Sequence, residues 1–120
     1  MKWIILIGDE TLTLDLIKSI KHFGSVKSYD VSEDRYCVDY ESDHIFYDYF
    51  EDMIDQYDES ERKIIPFDNP QFVMMVYRTG VRVKEIVQQD NFLRGIYVDN
   101  DSGLIVPIEK FIKIGMPMES

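Results

Sequence analysis

The chain has 120 residues, 45% of them apolar, a single cysteine and a formal net charge of −10. That length and apolar content suit one domain, residues 1–120, folding around a core without disulfide or metal staples. One cysteine excludes an intramolecular disulfide and a cysteine-rich zinc site and fits a reducing compartment, while the acid excess disfavours nucleic acid and anionic membranes as direct partners.

Lys2 to Gly8, KWIILIG, is a short β-branched run that reads as a buried central strand. Its apolar stretch is too short for a secretory h-region, and no stretch of the chain approaches the roughly 20 apolar residues of a membrane span. A soluble cytoplasmic protein is expected. Leu12, Leu16, Ile17, Ile20 and Phe23 then recur at helical spacing, with Asp9 or Thr11 as cap, Lys18 and Lys21 near the end, and Gly24 just beyond it.

SVKSYDV and RYCVDYE alternate around Ser32, Glu33 and Asp34, which predicts an antiparallel hairpin. In its second strand Tyr36, Val38 and Tyr40 share one face, and Cys37, Asp39 and Glu41 the other. The spacing next predicts a helix from about Asp43 to Tyr57, followed by a polar connection through Pro66 and Pro70. FVMMVYRT, from Phe72, reads as a second central strand. GVRVKEIVQQ permits a short helix or a strand, and two apolar runs around Asp99 to Gly103 predict a hairpin, with a helical turn starting at Pro107. The expected fold is therefore α+β: a single-layer, mainly antiparallel sheet covered by helices, with a βαββαβ, ferredoxin-like core and a C-terminal helix and hairpin extension.

Charge is concentrated in one place. Ten Asp or Glu and no Lys or Arg lie between Asp39 and Glu61, and elsewhere 13 acids match 13 bases, so the whole net charge belongs to that segment. Wound as a helix, it divides into an apolar stripe of Phe46, Tyr49, Phe50, Met53 and Tyr57 and a polar stripe of His44, Asp48, Glu51, Asp52 and Asp55. Asp48 and Asp55 would each meet Glu51 and Asp52, and these like-charge pairs together cost roughly 1–2 kcal/mol. Local stability does not account for such a face. Either it is a solvated surface or it docks a basic protein, with Tyr47, Asp48, Glu51, Asp52 and Asp55 as the binding residues.

Other chemistry is sparse. DNDSG, from Asp99, has its glycine one place too early for a calcium loop and reads as a turn. His22 sits where it can cap the first helix, His44 opens the acidic segment, and neither has a metal-ligand spacing with the other or with Cys37. No phosphate loop or nucleophile elbow is present, so no cofactor and no metal are expected. WIILIGDE and FVMMVYRT resemble two strands of a response-regulator receiver domain, a resemblance that would carry over Asp9, Glu10 and Thr79. The acceptor aspartate has no counterpart and VPIEKF replaces the expected Lys-Pro, so the resemblance implies no phosphorylation site.

The expectation is a non-enzymatic protein that masks a basic protein partner. In general character, small and acidic with acids and a tyrosine on one helix, the chain is similar to bacterial immunity proteins that neutralise toxins, although no family motif carries the likeness. The alternative is a ligand-binding regulatory or enzymatic domain using a pocket at the C-terminal extension. A homo-oligomer that buries exposed tyrosines against a second copy is a third possibility.

Overall fold

Two strands with apolar runs buried on both faces organise the chain, and both are where their sequences place them. The computed structural model describes residues 2–120. Its elements in chain order are β1 (Lys2–Gly8), α1 (Leu14–Lys18), β2 (Lys27–Ser32), β3 (Arg35–Asp39), β4 (His44–Phe50), a 3-10 turn (Met53–Gln56), α2 (Glu59–Ile64), β5 (Gln71–Tyr77), α3 (Gly80–Val87), β6 (Tyr97–Asp99), β7 (Ile105–Pro107) and α4 (Ile108–Lys113). All strands join one sheet in the order β2-β3-β4-β5-β1-β6-β7, and every neighbouring pair is antiparallel. The protein is thus α+β with a single antiparallel sheet and helices packed on it. An all-antiparallel sheet differs from the parallel, doubly wound sheet of a receiver domain.

The main core lies on one face. Ile4 and Leu6 of β1, Val38 of β3, Ile45 and Tyr47 of β4, and Val73 and Met75 of β5 meet Ile17 of α1, Val83 and Ile86 of α3, and Ile108 and Phe111 of α4. Each large side chain buried there contributes roughly 1.5–3 kcal/mol. The second face is covered over half its width. Tyr57 and Ile65, with Met53, Ile54 and Phe67 beside them, pack on Ile5, Ile7 and Phe72. The Tyr57 hydroxyl donates to Asp99 Oδ2 at 2.7 Å, tying this covering segment to β6. The β2-β3-β4 half of that face carries no second layer.

The helix expected from about Asp43 to Tyr57 is not formed: β4 and the 3-10 turn occupy that stretch. HIFYDYF satisfies two periods, because Phe46, Tyr49 and Phe50 fit a helical stripe while Ile45, Tyr47 and Tyr49 also alternate with Phe46, Asp48 and Phe50. β-Branched and aromatic residues favour the extended form, and β4 is flanked by β3 and β5, which saturate its backbone on both edges. An extended chain also separates the carboxylates that a helix would stack.

Other boundaries moved less. Helix α1 starts later than expected, capped by Thr13, whose Oγ1 accepts from the Leu16 N–H at 3.1 Å, rather than by Asp9 or Thr11. Gly24, beyond the helix, has φ +83°, a conformation an L side chain strains to adopt. Helix α2 lies in the stretch expected as a polar connection. Its signal is Asp58-x-x-Glu61, a reciprocal capping box at the first turn. GVRVKEIV is helical, and the β6–β7 hairpin turns where DNDSG predicts, with Asn100 Oδ1 accepting from the N–H groups of Ser102 and Leu104.

Two buried tyrosines differ in how their hydroxyls are treated. Tyr47 is fully buried and its hydroxyl lies 2.7 Å from His22 Nε2. His22 Nδ1 lies 3.0 Å from the Ile20 carbonyl, which can only accept, so Nδ1 carries the proton and Nε2 accepts from Tyr47. The hydroxyl of Tyr40 is buried without a hydrogen-bond partner among the described residues. Burial pushes its pKa up to about 12, against the opposing charge of Arg82, which lies 3.8 Å over the ring. Arg82 in turn holds Asp43 at 3.0 and 3.2 Å through Nε, pinning α3 to the β3–β4 turn.

Removing the two hydroxyls therefore has opposite consequences. Tyr47→Phe strands His22 and lowers unfolding stability by about 1–3 kcal/mol, whereas Tyr40→Phe removes an unsatisfied group and is neutral or stabilising by about 1 kcal/mol. Urea unfolding of both variants distinguishes them. Stability also depends on His22 protonation. Burial lowers its pKa below 6.5, the Ile20 bond opposing, so the contribution is complete above about pH 6.5 and declines as pH falls toward the folded-state pKa. A His22→Asn variant, followed by urea unfolding between about pH 7.5 and 5, loses that part of the slope.

Candidate functional site

In an antiparallel sheet the turns collect at two ends. Ser32 pairs with Arg35, Arg35 with Asp48, and Phe50 with Phe72, so the 33–34 turn, the 51–52 turn and the 68–70 segment emerge together. Three clefts run along this end. The first, of about 280 Å³, is lined by Asp15, Glu33 and Asp34; the second, of about 340 Å³, by Asp34, Asp48 and Glu51; the third, of about 380 Å³, by Glu51, Asp52 and Asp68. Tyr49 borders all three and Phe50 the last two. The result is a carboxylate rim at this end of the sheet, with Tyr49 and Phe50 on opposite faces of β4 beside it.

Two bases line these clefts, and each is already engaged. Arg35 grips Asp48 in a fork, Nε to Oδ1 at 2.6 Å and Nη2 to Oδ2 at 2.7 Å, and its guanidinium lies 4.3 Å from the Phe46 ring centre. The bond to Asp48 raises the pKa of Arg35. Lys18 reaches Asp30 at 2.7 Å. Asp15, Glu33, Asp34, Glu51, Asp52 and Asp68 remain exposed to solvent. Lys18 also lies 4.0 Å from Asp15, and the field of the remaining acids over this end of the sheet is negative.

The five residues expected to form one helical face do not lie together. Tyr47 points into the main core and is 0% exposed, which removes it from any binding surface. Asp48 is 7% exposed and bound to Arg35, so it holds the sheet together rather than facing a partner. Asp55 is exposed on the 3-10 turn, whose Met53 and Ile54 line the third cleft, but it does not itself line one. Glu51 and Asp52 do reach the rim, Asp52 with φ 58° in the left-handed region that an aspartate tolerates. Glu33, Asp34, Asp68, Tyr49 and Phe50 complete the surface; the helical spacing assigns Tyr49 and Phe50 to an apolar stripe and passes over the three acids. The connections are legible at Ser32–Asp34 and in the polar stretch through Pro66 and Pro70, but which of them share an end depends on the order of strands.

Elsewhere the chemistry is limited. The depression beside the C-terminal hairpin, lined by Lys2, Trp3, Asn100 and Asp101, holds about 80 Å³, whereas small-molecule pockets typically enclose about 300–1,000 Å³. No group of three or more His, Cys, Asp or Glu among the described residues is arranged to hold a metal ion. Cys37 is buried, and burial raises its thiol pKa, which opposes nucleophilic use. No helix among the described residues is long and apolar enough to cross a membrane. Compared with protein-family models, curated proteins and solved structures, the chain matches none.

The rim and the Arg35 fork respond differently to neutralisation. Glu51→Gln and Asp52→Asn change stability by no more than about 0.5 kcal/mol, while Asp48→Asn strips Arg35 of its partner and costs about 1–3 kcal/mol. Denaturant midpoints of the three single variants provide the check.

Proposed function

We propose that this protein is a non-enzymatic binding module that docks a basic protein surface through the carboxylate rim and masks it. The observation carrying this reading is the convergence of exposed acids from three separate connections around Tyr49 and Phe50, beside bases that are already paired. Phe50 is 41% exposed, large for an aromatic side chain at the end of a central strand, and offers apolar contact inside a charged border. The acids steer a cationic partner and the exposed Phe50 provides the contact that persists after encounter. Occluding a basic surface that the partner would otherwise turn toward nucleic acid is the mode of action this chemistry suits, as in the immunity proteins that the chain is similar to in general character.

The test uses the wild-type protein and a rim variant carrying Glu33→Gln, Asp34→Asn, Glu51→Gln, Asp52→Asn and Asp68→Asn, each immobilised and exposed to lysate of the source cells. The wild type retains a basic protein at about 0.05 M salt and releases it by about 0.5 M, and the variant retains at least tenfold less. Equal retention by both columns, or retention that salt does not disturb, overturns the reading.

A further inference from the structure

We propose that the bare half of the second sheet face, carried by β2, β3 and β4, is the surface through which two copies of this chain pair. The cover formed by Tyr57, Ile65 and their neighbours stops at β5. Beyond it, the pairing registers align Trp3, Val76, Phe46, Cys37 and Tyr29 in one row across five strands. Tyr29 is 44% exposed, Phe46 and Trp3 are half-buried, and the smaller Val76 and Cys37 are shielded between them. Such an apolar row at the centre of an uncovered sheet is the beginning of a two-sheet packing, whose facing layers stand about 10 Å apart.

The local charge is balanced. The chain carries −10, yet on this half-face the charged side chains of β2, β3 and β4 are Lys27, Arg35, Asp39 and Asp48, which cancel. Arg35 pairs with Asp48, and Lys27 lies 3.8 Å from Asp39. Nothing here selects a basic or an acidic partner, and the contact adds no like-charge repulsion to that between two chains of net charge −10.

The arrangement is also self-complementary. On β3, Arg35 and Asp39 stand two residues to either side of Cys37; on β4, Asp48 and His44 stand two residues to either side of Phe46. A two-fold axis running along the apolar row, between two facing sheets, sets Arg35 opposite the Asp39 of the second copy. Each contact occurs twice, as an isologous interface requires. Pairing through the edge of β2 is disfavoured by its irregular register between Asp30 and Ser32 and by Lys27. The face, rather than the edge, is the contact. Arg35, Asp48 and Phe50 also line the second rim cleft, so the two readings are told apart by the five-residue rim variant, which leaves every charged group of this face in place.

Sedimentation equilibrium of the full chain from about 5 to 500 µM tests this, a range set by the modest area that three short strands offer. The expected result is a reversible dimer of twice the 14.2 kDa chain mass. Tyr29→Glu and His44→Glu each place a charge on this face and weaken the dimer about tenfold. Tyr29 lies on an exposed edge strand, so its variant keeps the fold, and a urea midpoint close to wild type verifies this for each protein. A monomer at every concentration overturns the proposal, as does a dimer that these folded variants leave unchanged or that only the rim substitutions dissolve.

Discussion

The strict alternation of β4 governs the rest of the molecule, because each side chain it sends inward commits its neighbour to the opposite face. Tyr47 enters the main core and hydrogen-bonds His22, so Asp48 must emerge on the second face, where Arg35 on the neighbouring strand receives it. A one-residue slip would expose the tyrosine and drive the carboxylate into an apolar core. Burial of an unpaired carboxylate costs several kcal/mol or forces its protonation, which leaves one register available. That register fixes where β4 ends, and hence where Phe50, Glu51 and Asp52 stand.

From this follows the division of charge. In a helix, the acids between Asp39 and Glu61 would repel one another along one stripe. The extended chain disperses them instead: Asp43 goes to Arg82, Asp48 to Arg35, Asp58 and Glu61 to a capping box, and Glu51 and Asp52 to the end of the sheet. The acids with structural duties are those nearest a base or a free backbone N–H. Those without such partners gather beside the acids of the neighbouring turns, and there the protein presents a charge that its own fold does not use.

The sheet is also unevenly clothed. Helices α1, α3 and α4 cover one face across its width, whereas the chain following β4 has only enough apolar residues, chiefly Tyr57, Ile65 and Phe67, to cover half of the other. The uncovered half retains aromatic side chains flanked by internally paired charges. The acidic rim and this neutral apolar face therefore offer different physics to other molecules: long-range steering at one, short-range burial at the other.

The apolar runs of β1 and β5, the alternation of β3, the Pro107 helix start and the turn at DNDSG could be read directly, because each depends on neighbours within a few residues. The α+β class and the single antiparallel sheet followed from them. HIFYDYF could not be read that way: its aromatic spacing fits a helix and a strand alike, and pairing with β3 and β5 chose between them by saturating the backbone on both edges. The candidate surface depended on that choice. Glu51 and Asp52 were visible as part of an acidic segment, but Tyr47 and Asp48 became interior groups, and Glu33, Asp34 and Asp68 joined the surface. Local composition determined how much negative charge the chain carries. Strand order, a matter of contacts between residues distant in sequence, decided which carboxylates are spent on the fold and which face solvent.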